Sequence, residues 1–362
     1  MEPEFDAVVV GAGFAGLYML HRLRRMGMSA VVLEQGDGVG GTWHWNRYPG
    51  ARCDSESYYY CYSFSEELEQ EWTWTERYPR QAEIKSYLDH VADRFGLRGD
   101  IRLGVRVTGA RFDEDSRSWT VSSTAGEHRC RFLITAVGCL STANVPDIPG
   151  LDSFRGRWFH TGRWPHDGVD VRGRRVGVIG TGSTGIQAIP VLADEAGHLT
   201  VFQRTANYSI PARNAPLRAE DSDAYKRDYP RIREVQANST NGHPFVVSTR
   251  SALDPEPAER ERIYTDAWER GGLRFRAAFA DLLADADANE TASEFIRDRI
   301  REVVDDPATA ERLVPTDHGF ATKRPPIDTH YFETYNRDDV ALVDVKATPI
   351  EEIVPDGVRT SA

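Results

Sequence analysis

Two short glycine patterns, placed alike in two stretches of the chain, restrict its fold more than any other feature. Gly11, Gly13 and Gly16 form a G-x-G-x-x-G that follows the apolar run FDAVVV and opens a segment in which Leu17, Leu20 and Leu23 recur at helical spacing. A further apolar run, SAVVLE, ends at Glu34. Strand, glycine turn, helix and strand within about 30 residues make a dinucleotide-binding unit. Only glycine lets the backbone turn there and approach a pyrophosphate, whose charge then rests on the helix N-terminus. Glu34, about 20 residues beyond the turn, is placed to accept from a ribose hydroxyl.

Gly180, Gly182 and Gly185 repeat the pattern, but the strand that follows, HLTVFQR, ends at Arg204 instead of an acid. An acid would repel a 2′-phosphate, whereas an arginine pairs with it. The first turn therefore suits FAD or NAD and the second suits NADP. The bland alternatives are a glycine turn that only packs helix on sheet and a strand-end arginine that only meets water. Two unlike nucleotide sites in one chain suggest a flavin that takes hydride from a nicotinamide.

A chain of 362 residues exceeds one ordinary core, so two or three domains are expected. The segment AEIKSYLDHVADRFG reads as a helix, IRLGVRVTGARFD and SWTVSS as an antiparallel excursion, and RFLITAVG as a buried strand. The Pro/Gly-rich LSTANVPDIPG is a connector. From about 214 to 315 the composition turns charged and helical, with Phe295, Ile296, Ile300, Val303 and Val304 on one helical face. VALVDV is a late strand. The expected fold is α/β: two Rossmann-like dinucleotide-binding domains, for FAD and NADP, with a helical insertion. The segments are 1–139 (FAD domain, N-terminal part), 140–165 (linker), 166–213 (NADP domain), 214–315 (helical insertion) and 316–362 (return to the NADP domain).

A net charge of −12 argues against a nucleic-acid surface, which needs a clustered basic footprint. No apolar run approaches a membrane span, and the acidic start MEPEFDAVVV lacks the form of a secretory signal, so a cytoplasmic protein is expected. Cys53, Cys61, Cys130 and Cys139 include no C-x-x-C pair and read as reduced thiols; no metal set is expected. A redox disulfide beside the flavin needs closely spaced cysteines, and Cys53 and Cys61 are separated by seven residues. The electrons are therefore expected to go to oxygen.

Between the glycine turns, Phe154, Gly156, His160, Trp164 and Pro165 fit F-x-G-x-x-x-H-x-x-x-W-P. In this fingerprint the sequence resembles the type I Baeyer–Villiger monooxygenases; related N- and S-oxygenating flavin enzymes usually lack the Trp-Pro ending. GGTWHWNRYPGARCDSESYYYCYSFS, FQRTANYSIPARNAPL and TKRPPIDTHYFETYNRDDVALVDV extend the resemblance along essentially the whole chain. One departure is His44, where the family leads one to expect tyrosine.

The resemblance implies that NADPH reduces FAD and that the reduced flavin traps O2 as a C4a-peroxide. The peroxide then inserts oxygen next to the carbonyl of a small-molecule ketone. An ester or lactone results. It implies that Arg324 is the catalytic arginine, with Asp54 beside flavin and nicotinamide to orient it. Thr42, Trp43, His44, Trp45, Cys53, Asp54 and Tyr60 would belong to the flavin surroundings, and Val107 would meet the adenine side through its backbone. Arg52, Thr181, Gly182, Ser183, Thr184, Gly185, Ile186, Gln187, Arg204, Thr205, Lys323 and Arg324 would meet NADP. The fingerprint would be an interdomain linker held in place by His160. Read from residue type alone, Lys323-Arg324 is a basic pair on a surface loop and the run Tyr58-Tyr59-Tyr60 is packing. Family members continue for well over a hundred residues past VPDGVRTSA, so the resemblance also implies that the C-terminal part of the FAD domain is missing. A nucleotide-binding fragment without oxygenase activity and an N- or S-oxygenating enzyme are the other readings. The preferred ketone and the oligomeric state are not set by the sequence.

Overall fold

A computed structural model describes residues 3–239 and 242–362, which divide into two compact units. The first comprises residues 1–48, 81–145 and 159–168; the second comprises 49–80, 146–158 and 169–362. This differs from the sequence division for residues 49–80, which sit with the second unit. Cross-links within that unit hold them there: Arg77 N–H donates to the Ala215 carbonyl (3.0 Å) and Tyr78 N–H to Asn214 Oδ1 (2.9 Å). The fingerprint is divided too, Phe154 and Gly156 belonging to the second unit and His160, Trp164 and Pro165 to the first.

The first unit is built on one six-stranded sheet. Its strands are β1 (Phe5–Val10), β2 (Ala30–Leu33), β3 (Ile101–Arg102), β4 (Val107–Asp113), β5 (Ser118–Ser123) and β6 (Gly126–Thr135), in the order β3-β2-β1-β6-β5-β4. β1 pairs in parallel with β2 and β6, while β6-β5-β4 is an antiparallel meander. The two patterns meet at Cys130, which pairs with Phe5 on one side and Trp119 on the other. A core of Val8, Val31, Leu33, Val121 and Cys130 lies on the sheet. The helix Phe14–Arg25 buries Leu17, Leu20 and Leu23, the three positions its spacing singles out. One expectation fails: RFLITAVG is not a buried strand. Phe132 is 48% exposed although it shares a strand face with buried Cys130, so among the described residues the cover over that face stops short of it.

The second unit carries a smaller parallel sheet, β11-β8-β7, formed by β7 (Arg175–Ile179), β8 (His198–Gln203) and β11 (Val340–Asp344). Between β8 and β11 come the two-residue strands β9 (Ile210–Pro211) and β10 (Ile327–Asp328), paired in parallel. The insertion that separates them supplies the helices Ala219–Asn238, Pro257–Arg270, Ala286–Val303 and Pro307–Leu313. On Ala286–Val303 the residues Phe295, Ile296 and Ile300 are buried, and Val304 caps the helix, buried as well. Phe295 joins Tyr264, Trp268, Phe275 and Phe320 in a chain of ring contacts with centroids 5.3–5.8 Å apart. The hairpin β12 (Ile350–Val354) and β13 (Gly357–Thr360) ends the chain. It receives the end of the connector: Gly150 takes φ +81°, and a Cβ there would stand 2.1 Å from the Ile353 carbonyl oxygen.

Asp328 on β10 is buried, and Ser209 donates to its Oδ2 at 2.6 Å. Burial outweighs the hydrogen bonds and raises its carboxyl to about 6. A raised carboxyl binds its proton more tightly folded than unfolded. Its ionisation therefore costs no stability below about pH 4 and imposes a penalty that grows to pH 6, on the order of 3 kcal/mol. Asp328→Asn should flatten the stability–pH profile between those limits, in urea titrations at each pH. Its amide can donate to Ser209, whose hydroxyl then turns to the Pro326 carbonyl at 3.4 Å. A profile as steep as that of the wild type would assign the dependence to another group.

Candidate functional site

The first glycine turn is shaped by one close approach. Gly11 has φ +102°, and a Cβ on Gly16 would lie 1.8 Å from the Gly11 carbonyl oxygen. A side chain at either position would force strand and helix apart. Gly13 caps the helix without a side-chain bond, so the helix opens on bare backbone N–H groups. Glu34 is buried at the end of β2, its Oε2 accepting from Ala12 N–H and its Oε1 from Gly36 N–H, both at 2.7 Å. A carboxylate offers about four lone-pair sites, so about half of its accepting capacity is left over. Val105 N–H donates to the Glu34 carbonyl (2.8 Å), which brings the start of β4, with Val107, to the same end of the sheet.

Gly40 and Gly41 form a second backbone approach that spacing did not reveal. A Cβ on Gly41 would lie 3.0 Å from the Gly13 Cα, and Gly40 N–H donates to Ala12 O at 2.9 Å. The doubled glycine before Thr42-Trp43 was its only signal. The one-turn helix Thr42–Trp45 therefore abuts the nucleotide turn, and Trp43 and His44 are buried in it. His160 accepts from Gly162 N–H at 3.1 Å, capping the turn Thr161–Arg163, while Trp164 lies against Phe159 (ring centroids 5.6 Å).

In the second unit the same turn recurs almost angle for angle. Gly180 has φ +107°, Gly182 caps the helix Ser183–Glu195 at φ −80°, and a Cβ on Gly185 would meet the Gly180 carbonyl oxygen at 2.3 Å. Positions for a Cβ on Gly180 or Gly182 meet nothing within 4 Å, so the front of this turn is open. Thr181 donates from Oγ1 to the Thr205 carbonyl (3.0 Å), tying the turn to the end of β8. Arg204 is exposed beside it and makes no ion pair among the described residues. Ile186 is buried, whereas Gln187 exchanges side-chain hydrogen bonds with the Arg52 backbone (3.2 and 3.4 Å). The Arg52 guanidinium is itself engaged by Glu76 (3.1 Å) and the Tyr78 carbonyl (3.2 Å). Gly50 (φ +80°) lets this segment pass over the helix, since a Cβ would stand 2.2 Å from the Gln187 carbonyl oxygen.

Arg324 and Asp54 are 270 residues apart in sequence, and their side chains meet at 2.7 Å. Arg324 is 64% exposed and Lys323 is also exposed. One guanidinium nitrogen faces Asp54, which leaves most of its five donors pointing outward. Behind this pair lies a network that residue type alone read as packing. Glu56 is buried and accepts from Arg77 Nε (2.7 Å), an Arg274 amino group (3.0 Å) and the Tyr58 hydroxyl. Burial pushes the Glu56 carboxyl up, but Arg274 and Arg77 outweigh it and hold it below its ordinary range. Tyr59 hydrogen-bonds His243 Nδ1 at 3.2 Å. Arg276 and Arg324 lie close enough to repel, so Arg276, already disfavoured by burial, is held below its usual range. Glu56, Arg77, Arg274 and Arg276 were not singled out from sequence, because no spacing links them.

All four cysteines are free. Burial, then the neighbouring Asp54, pushes the Cys53 thiol far up, so it is inert as a nucleophile. A pocket of about 360 Å³ lies along the helix Ser183–Glu195, lined by Arg52, Gln187, Asp194, His330 and Arg337 among others; it contains neither Asp54 nor Arg324. No helix among the described residues is long and apolar enough to cross a membrane.

The glycine turns, the acid and arginine that end their second strands and the exposed Arg324–Asp54 pair together define a two-nucleotide oxidoreductase. The family model described as pyridine nucleotide-disulphide oxidoreductase matches residues 8–219. With no paired cysteines, the likeness is of nucleotide folds and not of disulfide chemistry. A solved steroid monooxygenase bound to NADP superposes with a TM-score of 0.96 at 53% identity, over 99% of this chain and 69% of that one. A Baeyer–Villiger monooxygenase of Pseudooceanicola batsensis is 44% identical over 98% of this chain and 66% of its own length. A phenazine N-monooxygenase of Lysobacter antibioticus is 45% identical over 98% and 66%. The chain belongs to the Baeyer–Villiger family of flavin monooxygenases, and it spans about two thirds of the length of the curated relatives it matches.

Arg204→Gln should weaken NADP+ binding about tenfold or more, the worth of one charge-assisted hydrogen bond, and leave NAD+ binding nearly unchanged. Titration calorimetry with both nucleotides checks this. Equal losses for the two would place Arg204 away from the 2′-phosphate.

Proposed function

We propose that the protein binds FAD on its first glycine turn and NADPH on its second, and uses O2 to insert one oxygen atom next to a ketone carbonyl, giving an ester or lactone. When bound, the nicotinamide supplies hydride and the flavin activates oxygen. Gly11, Gly13 and Gly16 hold the backbone against the FAD pyrophosphate, and Glu34 takes the ribose hydroxyls. Thr42, Trp43 and Val107 line the same cleft. Thr181, Gly182, Ser183 and Thr184 present backbone N–H groups to the second pyrophosphate, with Arg204 and Lys323 meeting phosphate charge.

The observation that carries the oxygenation is the Arg324–Asp54 pair, 2.7 Å apart with the guanidinium mostly exposed. The reaction needs a positive charge that never deprotonates and donors aimed at the oxygen of the carbonyl as it becomes an oxyanion. A guanidinium supplies both. Asp54 holds one of its nitrogens, so the remaining donors are fixed in direction before substrate arrives. The buried Glu56–Arg77–Arg274 network braces the segment that carries Asp54, a positioning role. A second reading, oxygenation of a ring nitrogen, is favoured by the phenazine N-monooxygenase relative. The Trp164-Pro165 ending favours the ketone.

Arg324→Ala should lower kcat for ester formation by about a hundredfold or more, the cost of losing one preorganised oxyanion donor. Arg324→Lys should restore little, because the forked donor geometry is lost. Product analysis with NADPH and a panel of ketones and N-heterocycles reads the outcome. Full ester formation by Arg324→Ala, or N-oxides as the only products, overturns the reading.

A further inference from the structure

We propose that Asp37, His44 and His166, all in the first unit, form a binding site for a divalent transition-metal ion of the zinc class. One ligand atom from each lies within 4.8 Å of the others, and His44 Nε2 is already 3.0 Å from Asp37 Oδ1. The His166 ring stands 5.7 Å from the His44 ring, inclined at 75°. Ligands of a tetrahedral zinc at about 2.0 Å lie roughly 3.3 Å apart, so only a small adjustment is needed. Asp37 and His166 are exposed and can make it by rotating side chains.

His44 anchors the site and supplies the independent evidence. It is 4% exposed, yet its Nδ1 has no hydrogen-bond partner among the described residues and its Nε2 has only the Asp37 carboxylate at 3.0 Å, not aligned as a hydrogen bond. Buried polar atoms without partners are uncommon and call for an explanation. Its ring is packed on both edges: a Cβ on Gly36 or on Gly38 would come within 3.1 Å of it. It stands where the family resemblance leads one to expect tyrosine, which offers no ligand nitrogen.

The donor set selects the ion. Two imidazoles and one carboxylate suit zinc and its transition-metal neighbours, whereas magnesium and calcium take oxygen ligands. Three protein ligands leave an open position for water. The nearby cations Arg47 and Lys85 oppose a bound cation, although Lys85 is ion-paired to Asp89. Micromolar affinity is accordingly expected.

The test is titration of the chelator-stripped protein with Zn2+ against a chromophoric competitor, for wild type and Asp37→Asn/His166→Ala. Both replaced side chains are exposed, so the variant keeps its fold, as matching thermal melts in chelator will show. The wild type should bind one equivalent with micromolar affinity, and the variant should bind it at least about tenfold more weakly. No binding by the wild type, or equal stoichiometry and affinity in the variant, overturns the proposal; the latter would place the ion on thiols such as exposed Cys139.

Discussion

The contact on which both units depend is a glycine carbon laid against a carbonyl oxygen. In each turn the third glycine of the pattern sits on the carbonyl of the first, with less than 2.5 Å of room for a Cβ. That contact lets the helix start directly from the end of the strand, with its free N–H groups at the sheet edge. Nothing larger than glycine fits, and no hydrogen bond substitutes for the contact. The same solution appears at Gly11/Gly16 and Gly180/Gly185 with nearly equal φ, although the two helices share little sequence.

Around this common turn the two units diverge in what they offer a ligand. The first surrounds its turn with more backbone: Gly40-Gly41 approaches Gly13, and Glu34 is locked by two N–H donors. The second leaves its turn open in front and places an exposed arginine beside it. A flat, neutral-ribose nucleotide suits the first arrangement and one with an extra phosphate suits the second. The chemistry of a guanidinium then separates Arg324 from Arg52, Arg77 and Arg274. The last three are occupied by carboxylates and carbonyls and serve as braces. Arg324 spends one nitrogen on Asp54 and keeps the rest available.

Much of the fold was legible because it is local. The strands, the helix faces of Leu17/Leu20/Leu23 and Phe295/Ile296/Ile300, and the late strand β11 follow from periodicities of two and 3.6 residues. The misreading of RFLITAVG has a local cause as well: an apolar run signals a strand but not which face is covered. Residues 49–80 were grouped by order along the chain, whereas they pack by hydrogen bonds to 214 and 215. The meeting of Asp54 with Arg324 was expected only from family resemblance.

The sequence by itself determined that two nucleotide turns exist, which one ends in an acid and which in an arginine, and that no cysteine pair is spaced for redox work. These follow from steric and charge rules acting over a few residues. Only the tertiary structure decided that Gly41 touches Gly13, that Glu56 gathers Arg77 and Arg274, and that His44 is buried between Asp37 and His166. Those contacts depend on how chain segments tens to hundreds of residues apart are brought together by burial, a collective outcome that no short spacing encodes.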